Sequence, residues 1–222
     1  MQILTTQALR AQTHCLIYGP AKSGKTRLAL TAPNPIICDL DKGLSSVREA
    51  NLPYIACPTF TAYMLFHRWV CTSPEAKPFQ TIIIDDLTEL AELFLVDEKP
   101  KHKNLMQAYR ELLDTMMLLI RELRALQDKN VVLLCKQERV KDESTGALIY
   151  GPKIPGQAVG PMLPYLMGEV YHIEKWTDPN TKQTHDVLRT QRDNSVDAGS
   201  RSGKLAVFEF ANLTNIFAKV MS

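Results

Sequence analysis

Residues 18–26 read Tyr-Gly-Pro-Ala-Lys-Ser-Gly-Lys-Thr. Two glycines separated by four residues, then lysine and threonine, are the residue types that wrap backbone amides around an anion. The glycines let the chain curl so that successive N–H groups point inward. A following helix would add its positive amino-terminal end. Lys25 would reach the β- and γ-phosphates, and the Thr26 hydroxyl would ligate Mg²⁺, a hard cation that prefers oxygen. Gly19, Pro20, Ala21, Lys22, Ser23, Gly24, Lys25, Thr26 and Arg27 are therefore the candidate nucleotide-binding set. A chance turn before a helix is the alternative. An apolar run before the motif and an apolar-periodic run after it meet the context test for a phosphate loop. The motif points to a nucleoside triphosphate and does not name the reaction.

Two acidic pairs follow apolar runs. In Thr-Ile-Ile-Ile-Asp-Asp, residues 81–86, an acid at the end of a buried parallel strand falls at the ligand-binding edge of the sheet. Asp85 is the candidate to hold the Mg²⁺ shell together with Thr26, with Asp86 as helper or as the cap of the next helix. In Ile-Ile-Cys-Asp-Leu-Asp-Lys-Gly, residues 36–43, Asp39 and Asp41 reach the same edge. Asp41 lies beyond the strand end, where a carboxylate could orient and deprotonate water. The competing reading is that Asp41 starts a turn with Lys42 and Gly43.

Alternating short apolar runs and helical periods must position these groups, which predicts an α/β fold with a mostly parallel sheet flanked by helices. Strands are expected over 15–18, 36–39, 54–57, 81–84 and 131–135. Helices are expected over 25–32, stopped by Pro33 and Pro35, and over 61–70, 87–96 and 105–128. The last carries Leu105, Leu112, Leu113, Met116, Met117, Ile120 and Leu123 at spacings of three and four. Residues 138–160 read as a hairpin or mobile loop and 162–167 as a short helix. Antiparallel strands over 170–176 and 184–190 are joined by Asp-Pro-Asn-Thr, and a final helix starts near Asn212. One domain over 1–222 is expected, with its core at about 12–176 and an antiparallel extension over 177–222.

The 222 residues and formal net charge of +2 describe an ordinary folded chain, so any nucleic-acid surface must come from local clustering. Cys15, Cys38, Cys57, Cys71 and Cys135 form no Cys-x-x-Cys pair and lie at no zinc spacing, which suggests a reducing compartment. No apolar run is long enough to span a bilayer, and the expected location is cytoplasmic, without membrane partners. His14, His67, His102, His172 and His185 show no ligand spacing, and Trp69 and Trp176 read as packing residues.

The order of these parts, from the phosphate loop through Ile-Cys-Asp-Leu-Asp-Lys-Gly and Thr-Ile-Ile-Ile-Asp-Asp to Val-Val-Leu-Leu-Cys-Lys-Gln, resembles the core of the recombinase RecA. More closely it resembles small phage ATPases of the Sak-four single-strand-annealing type and AAA-domain ATP-binding proteins, over roughly residues 12–176. The resemblance implies a RecA-like P-loop core using ATP and Mg²⁺, with Lys25, Asp41, Asp85 and Gln137 as catalytic residues. Asp41 stands where the family has a glutamate, one methylene longer. Gln137 falls where a glutamine senses the γ-phosphate, and Lys136 precedes it where RecA has a polar amide. Two DNA loops are implied. The first is basic, Lys99, Lys101 and Lys103 with His102. The second, 138–160, offers Arg139, Lys141 and Lys153 against Glu138, Asp142 and Glu143, with Tyr150 as a base-stacking or hairpin-packing residue. The first loop could equally be solvated surface, and the case for the second rests on position and glycine content more than on charge. Lys136, Arg189, Arg192, Arg201 and Lys204 are the basic candidates for completing a neighbouring subunit's site.

The implied activity is slow, single-stranded-DNA-stimulated ATP hydrolysis in phage annealing or recombination. Implied partners are single-stranded DNA, further copies of the chain in a ring or filament, and a phage or host single-strand-binding protein. Two other classes stay open. A small-molecule kinase of the nucleotide-kinase type shares the loop and the size, but no arginine-rich lid is evident. A non-hydrolysing nucleotide switch or loader needs only the loop.

Overall fold

The computed structural model describes residues 12–142 and 146–222; Glu143 of the second basic segment lies outside them. Its centre is a sheet whose order is set by which strands are apolar on both faces. β1 (His14–Gly19), β2 (Pro35–Asp39), β4 (Thr81–Asp85) and the first half of β5 (Asn130–Lys141) are almost wholly buried. Such uninterrupted apolar runs suit parallel strands covered by helices on both sides. With β3 (Tyr54–Ala56) and β7 (Glu169–Thr177) they form a parallel run in the order β3-β2-β4-β5-β1-β7. Beyond β7 the sheet turns antiparallel, through β8 (Thr184–Arg189) and β10 (Phe208–Phe210). β6 (Leu148–Pro152) folds back on the outer half of β5, and the short β9 (Gly199–Ser200) pairs with β7.

Alternation along the strands divides the core. Leu16, Tyr18, Ile82, Ile84 and Leu133 face α2 (Phe60–Thr72), α3 (Leu87–Glu98), α4 (Leu105–Arg124) and α5 (Val159–Leu166). Cys15, Ile17, Ile83, Val132 and Leu134 face α1 (Lys25–Ala29) and α6 (Leu213–Met221). The antiparallel carboxyl-terminal strands and the mostly parallel sheet make this the expected P-loop type of α/β fold.

Three of the boundaries that differ from expectation have local reasons. α1 stops at Ala29 instead of residue 32, because Thr31 and Ala32 turn back onto the carbonyls of Leu28 and Ala29. The Thr31 hydroxyl also donates to Leu28 O and accepts from Leu213 N, which ties the end of α1 to α6. α4 ends at Arg124, where Leu126 N bonds Leu123 O in a tighter turn. β5 runs six residues past the expected strand, to Lys141, because β6 supplies a partner for its polar outer half. The segment 43–50, a distorted 3₁₀ stretch, and the strands β9 and β10 carry no sequence signal strong enough to predict.

Candidate active site

The phosphate loop hangs between β1 and α1. A Cβ on Gly19 would lie 2.6 Å from Ile173 Cγ2 on β7, so β7 packs against the loop too closely for any side chain there. Gly24, the N-cap of α1, sits at φ 92, the left-handed region that glycine enters without steric cost. Lys25 folds back over the loop, its Nζ donating to Gly19 O at 3.0 Å and Pro20 O at 2.9 Å. Burial lowers the pKa of this ammonium, and the carboxylates of Asp86, Asp85 and Asp41 oppose that shift.

The Thr26 hydroxyl donates to Asp85 Oδ2 at 2.8 Å, which brings together the two groups expected to hold the cation. Register explains the contact. β5 lies between β1 and β4, so Gly19 and Asp85, at the ends of β1 and β4, open on one edge beside Lys136 in the middle of β5. Asp85 is 4 % exposed, and burial pushes its pKa up to about 7. The Thr26 hydroxyl works against this shift, while the charges of Asp41, Asp86 and Asp39 add to it. Burial, followed by Asp41, also raises Asp39. A cluster of buried acids with raised pKa values is stabilised when a cation arrives. Asp86 caps α3, its carboxylate accepting from Glu89 N at 2.9 Å. The Asp85–Asp86 peptide is cis.

Asp41 combines both of its readings. Its Oδ1 accepts from Gly43 N at 2.9 Å, forming the turn, and the residue also lines the cleft with the phosphate loop. Lys136 and Gln137 line the same cleft from β5. Lys136 Nζ pairs with Glu89 Oε2 at 3.1 Å. Gln137 Oε1 meets His172 Nε2 at 3.0 Å, and the His172 ring lies parallel to Tyr150 at 6.3 Å. The cleft holds about 680 Å³. Ser23 Oγ and Asp39 Oδ1 are buried around this strand edge without a hydrogen-bond partner, among the described residues. A glycine-hinged loop, a lysine head held by loop carbonyls, two unsatisfied oxygens and a hydroxyl–carboxylate pair fit a triphosphate with a divalent cation.

The remaining candidates are dispersed. Lys99–Lys101 is a short 3₁₀ turn continuing α3. Lys99, Lys101 and Lys103 are all exposed; Glu98 engages Lys101 at 2.7 Å and His102 at 2.8 Å, and Lys99 Nζ sits 5.4 Å from the Tyr109 ring. The second segment is a hairpin. Arg139 lies over the Tyr150 ring at 5.4 Å, and Lys141 ends β5, while Lys153 turns into the nucleotide cleft. Arg189 is held by Glu174 and Asp193, at 3.0 and 2.6 Å, and Arg192 by Asp142 at 2.7 Å. Arg201 and Lys204 are exposed. Sequence reasoning missed Lys175 and Asp186, which line the cleft as an ion pair on β7 and β8. No local motif marks them; only the pairing of β7 with β1 brings them to the loop.

A strand–loop–helix phosphate cradle facing an acid on a nearby strand tip defines a P-loop nucleotide-binding domain. The family model described as AAA domain matches residues 11–202, and the chain belongs to that family of nucleotide-binding ATPase domains. No curated protein matches the chain. Among the described residues, no helix is long and apolar enough to cross a membrane.

Proposed function

We propose that the chain is a RecA-like ATPase of phage recombination that hydrolyses ATP with Mg²⁺ and couples nucleotide state to single-stranded DNA, promoting annealing. The observation that carries this reading is the continuity of β5. Its inner half ends at Lys136 and Gln137 in the nucleotide cleft, and its outer half runs directly into the β5–β6 hairpin. A change at the γ-phosphate end of the cleft therefore has a rigid route to the segment that would meet DNA. Mg²⁺, when bound, supplies Lewis-acid neutralisation of phosphate charge. Lys25 releases its two loop carbonyls to take phosphate oxygens, Thr26 and Asp85 hold the cation, and Asp41 orients water. Lys103, Arg139, Lys141 and the exposed Arg201 and Lys204 are the basic groups left for DNA or for a neighbouring copy in a ring or filament. Five free cysteines support a reducing, cytoplasmic setting.

ATP turnover with and without a single-stranded oligonucleotide tests the reading. Turnover should rise with DNA and vanish in Lys25→Ala. Turnover indifferent to DNA, with no retention of labelled DNA at low salt, removes the DNA half. A non-hydrolysing switch is the second reading, favoured by the commitment of Asp41 Oδ1 to Gly43 N. Tight ATP binding without turnover, whatever nucleic acid is added, decides for it.

A further inference from the structure

We propose that Phe210 and His185 form the nucleobase subsite, and that they favour purine over pyrimidine nucleotides by stacking. This rests on the phosphate-cleft reading above.

A second cavity of about 320 Å³ adjoins the cleft and shares Gly24, Arg27 and Asp186 with it. It runs along α1 past Leu28 and Thr31, whereas Asp85, Lys136 and Gln137 line the first cleft and not this cavity. A triphosphate whose γ end faces Asp85 and Gln137 therefore leads its nucleoside end past Gly24 and Arg27 into this cavity. The cavity wall is aromatic. Phe210 meets His185 edge to face, with ring centroids 5.4 Å apart at 81°. Trp176 backs His185 at 6.2 Å and 28°. Phe210 is 64 % exposed, so its ring offers an open surface at the cavity mouth. Leu28, Ile173 and Ala211 supply an apolar floor.

The wall is fixed before any ligand arrives. Ala211 N donates to Asp186 O at 3.1 Å, Leu213 N to Thr31 Oγ1 at 2.8 Å, and Thr214 Oγ1 to Thr31 O at 2.6 Å. These bonds hold the residues around Phe210 to both β8 and α1, so little ordering cost falls on binding. Asp186 adds one polar contact. Its Oδ1 is engaged by Lys175, while Oδ2 lies 3.5 Å from the position a Cβ on Gly24 would take. That oxygen faces the loop at the junction of the two cavities, where a ribose hydroxyl would donate to it. Stacking on an aromatic face tolerates either purine and rewards the larger ring system.

The test titrates the full-length chain with Mg²⁺ complexes of ATP, GTP, CTP and UTP and of inorganic tripolyphosphate, which has no base. Wild type should bind ATP and GTP more tightly than CTP and UTP. Phe210→Ala should weaken ATP and GTP on the order of tenfold and leave tripolyphosphate affinity unchanged. Phe210→Trp should restore purine affinity. ATP affinity unchanged in Phe210→Ala, or ATP and tripolyphosphate weakened equally, overturns the subsite and leaves the phosphate cleft standing. Wild type binding neither tripolyphosphate nor ATP removes the cleft reading itself.

Discussion

Acidification should destabilise this chain through one buried imidazole, His172. The ring is 7 % exposed and lies between Tyr18 and Tyr150, with centroids at 5.1 and 6.3 Å. Nε2 is within 3.0 Å of Gln137 Oε1, so the neutral ring donates there. Among the described residues Nδ1 is buried without a hydrogen-bond partner, and a carboxylate oxygen of Glu174 is 3.8 Å away. Burial, then the charge of Arg189, lowers the pKa from 6.5 to about 4, with Asp193 opposing and Lys25 assisting. The unfolded chain thus takes up this proton near pH 6.5 and the folded chain only near pH 4. Between those values the unfolded state binds more protons, so stability is full above about pH 6.5 and falls as the pH drops. At about 1.4 kcal/mol per pH unit the loss approaches about 3 kcal/mol. Asp85, Asp39, Asp86 and Asp197, whose pKa values are raised in the fold, tilt the profile the other way. The difference between wild type and His172→Gln, which can keep a hydrogen bond to Gln137, isolates the histidine. Urea unfolding from pH 7.5 to 4 should show the wild-type midpoint falling relative to the variant by roughly 1 M. Parallel profiles would refute the assignment of a neutral, desolvated His172.

Two further outcomes concern the proposed chemistry. Asp41→Asn should keep ATP affinity, because the amide oxygen can still accept from Gly43 N, and should lose most hydrolysis; lost affinity instead would make Asp41 a structural turn residue. Neutralising Lys99, Lys101 and Lys103 together should weaken single-stranded DNA binding and flatten its dependence on log salt by up to about one unit per lost phosphate contact. Since Glu98 already engages Lys101, Lys103→Gln alone should produce most of that change, and an unchanged slope would mean the segment faces only water.

The phosphate loop and both acidic pairs were legible because the information is local. Gly24 must adopt a positive φ, and three isoleucines before Asp85 mark a strand buried on both faces. Helix α4 was legible from its stripe, although Leu105 at its start is exposed and Ala108, whose signal is weak, is buried. What the sequence could not reveal depends on pairing between distant segments. Nothing near Lys175 or Asp186 announces the phosphate loop; parallel register between Ile17 and Tyr171 brings them there. The polar outer half of β5 alternates too weakly to read as strand and is stabilised by its partner β6. Charge neutralisation was hidden in the same way, since Arg189 meets Glu174 across two strands and Arg192 meets Asp142 from far along the chain.

The same topology separates two properties of the site. The Asp85, Lys136 and Gln137 end is built from β4 and β5, strands in the middle of the sheet. The opposite end is built from β7, β8 and the end of β10, which reach the loop only because β7 docks beside β1. Ile173 joins them, since it packs against Gly19 and also floors the second cavity. Changes at Phe210 should therefore alter which nucleotide binds without altering its hydrolysis once bound. Changes at Asp41 or Gln137 should alter hydrolysis without altering base preference. A bulkier residue at Ile173 should disturb both, because it would push the phosphate loop and the cavity floor at once.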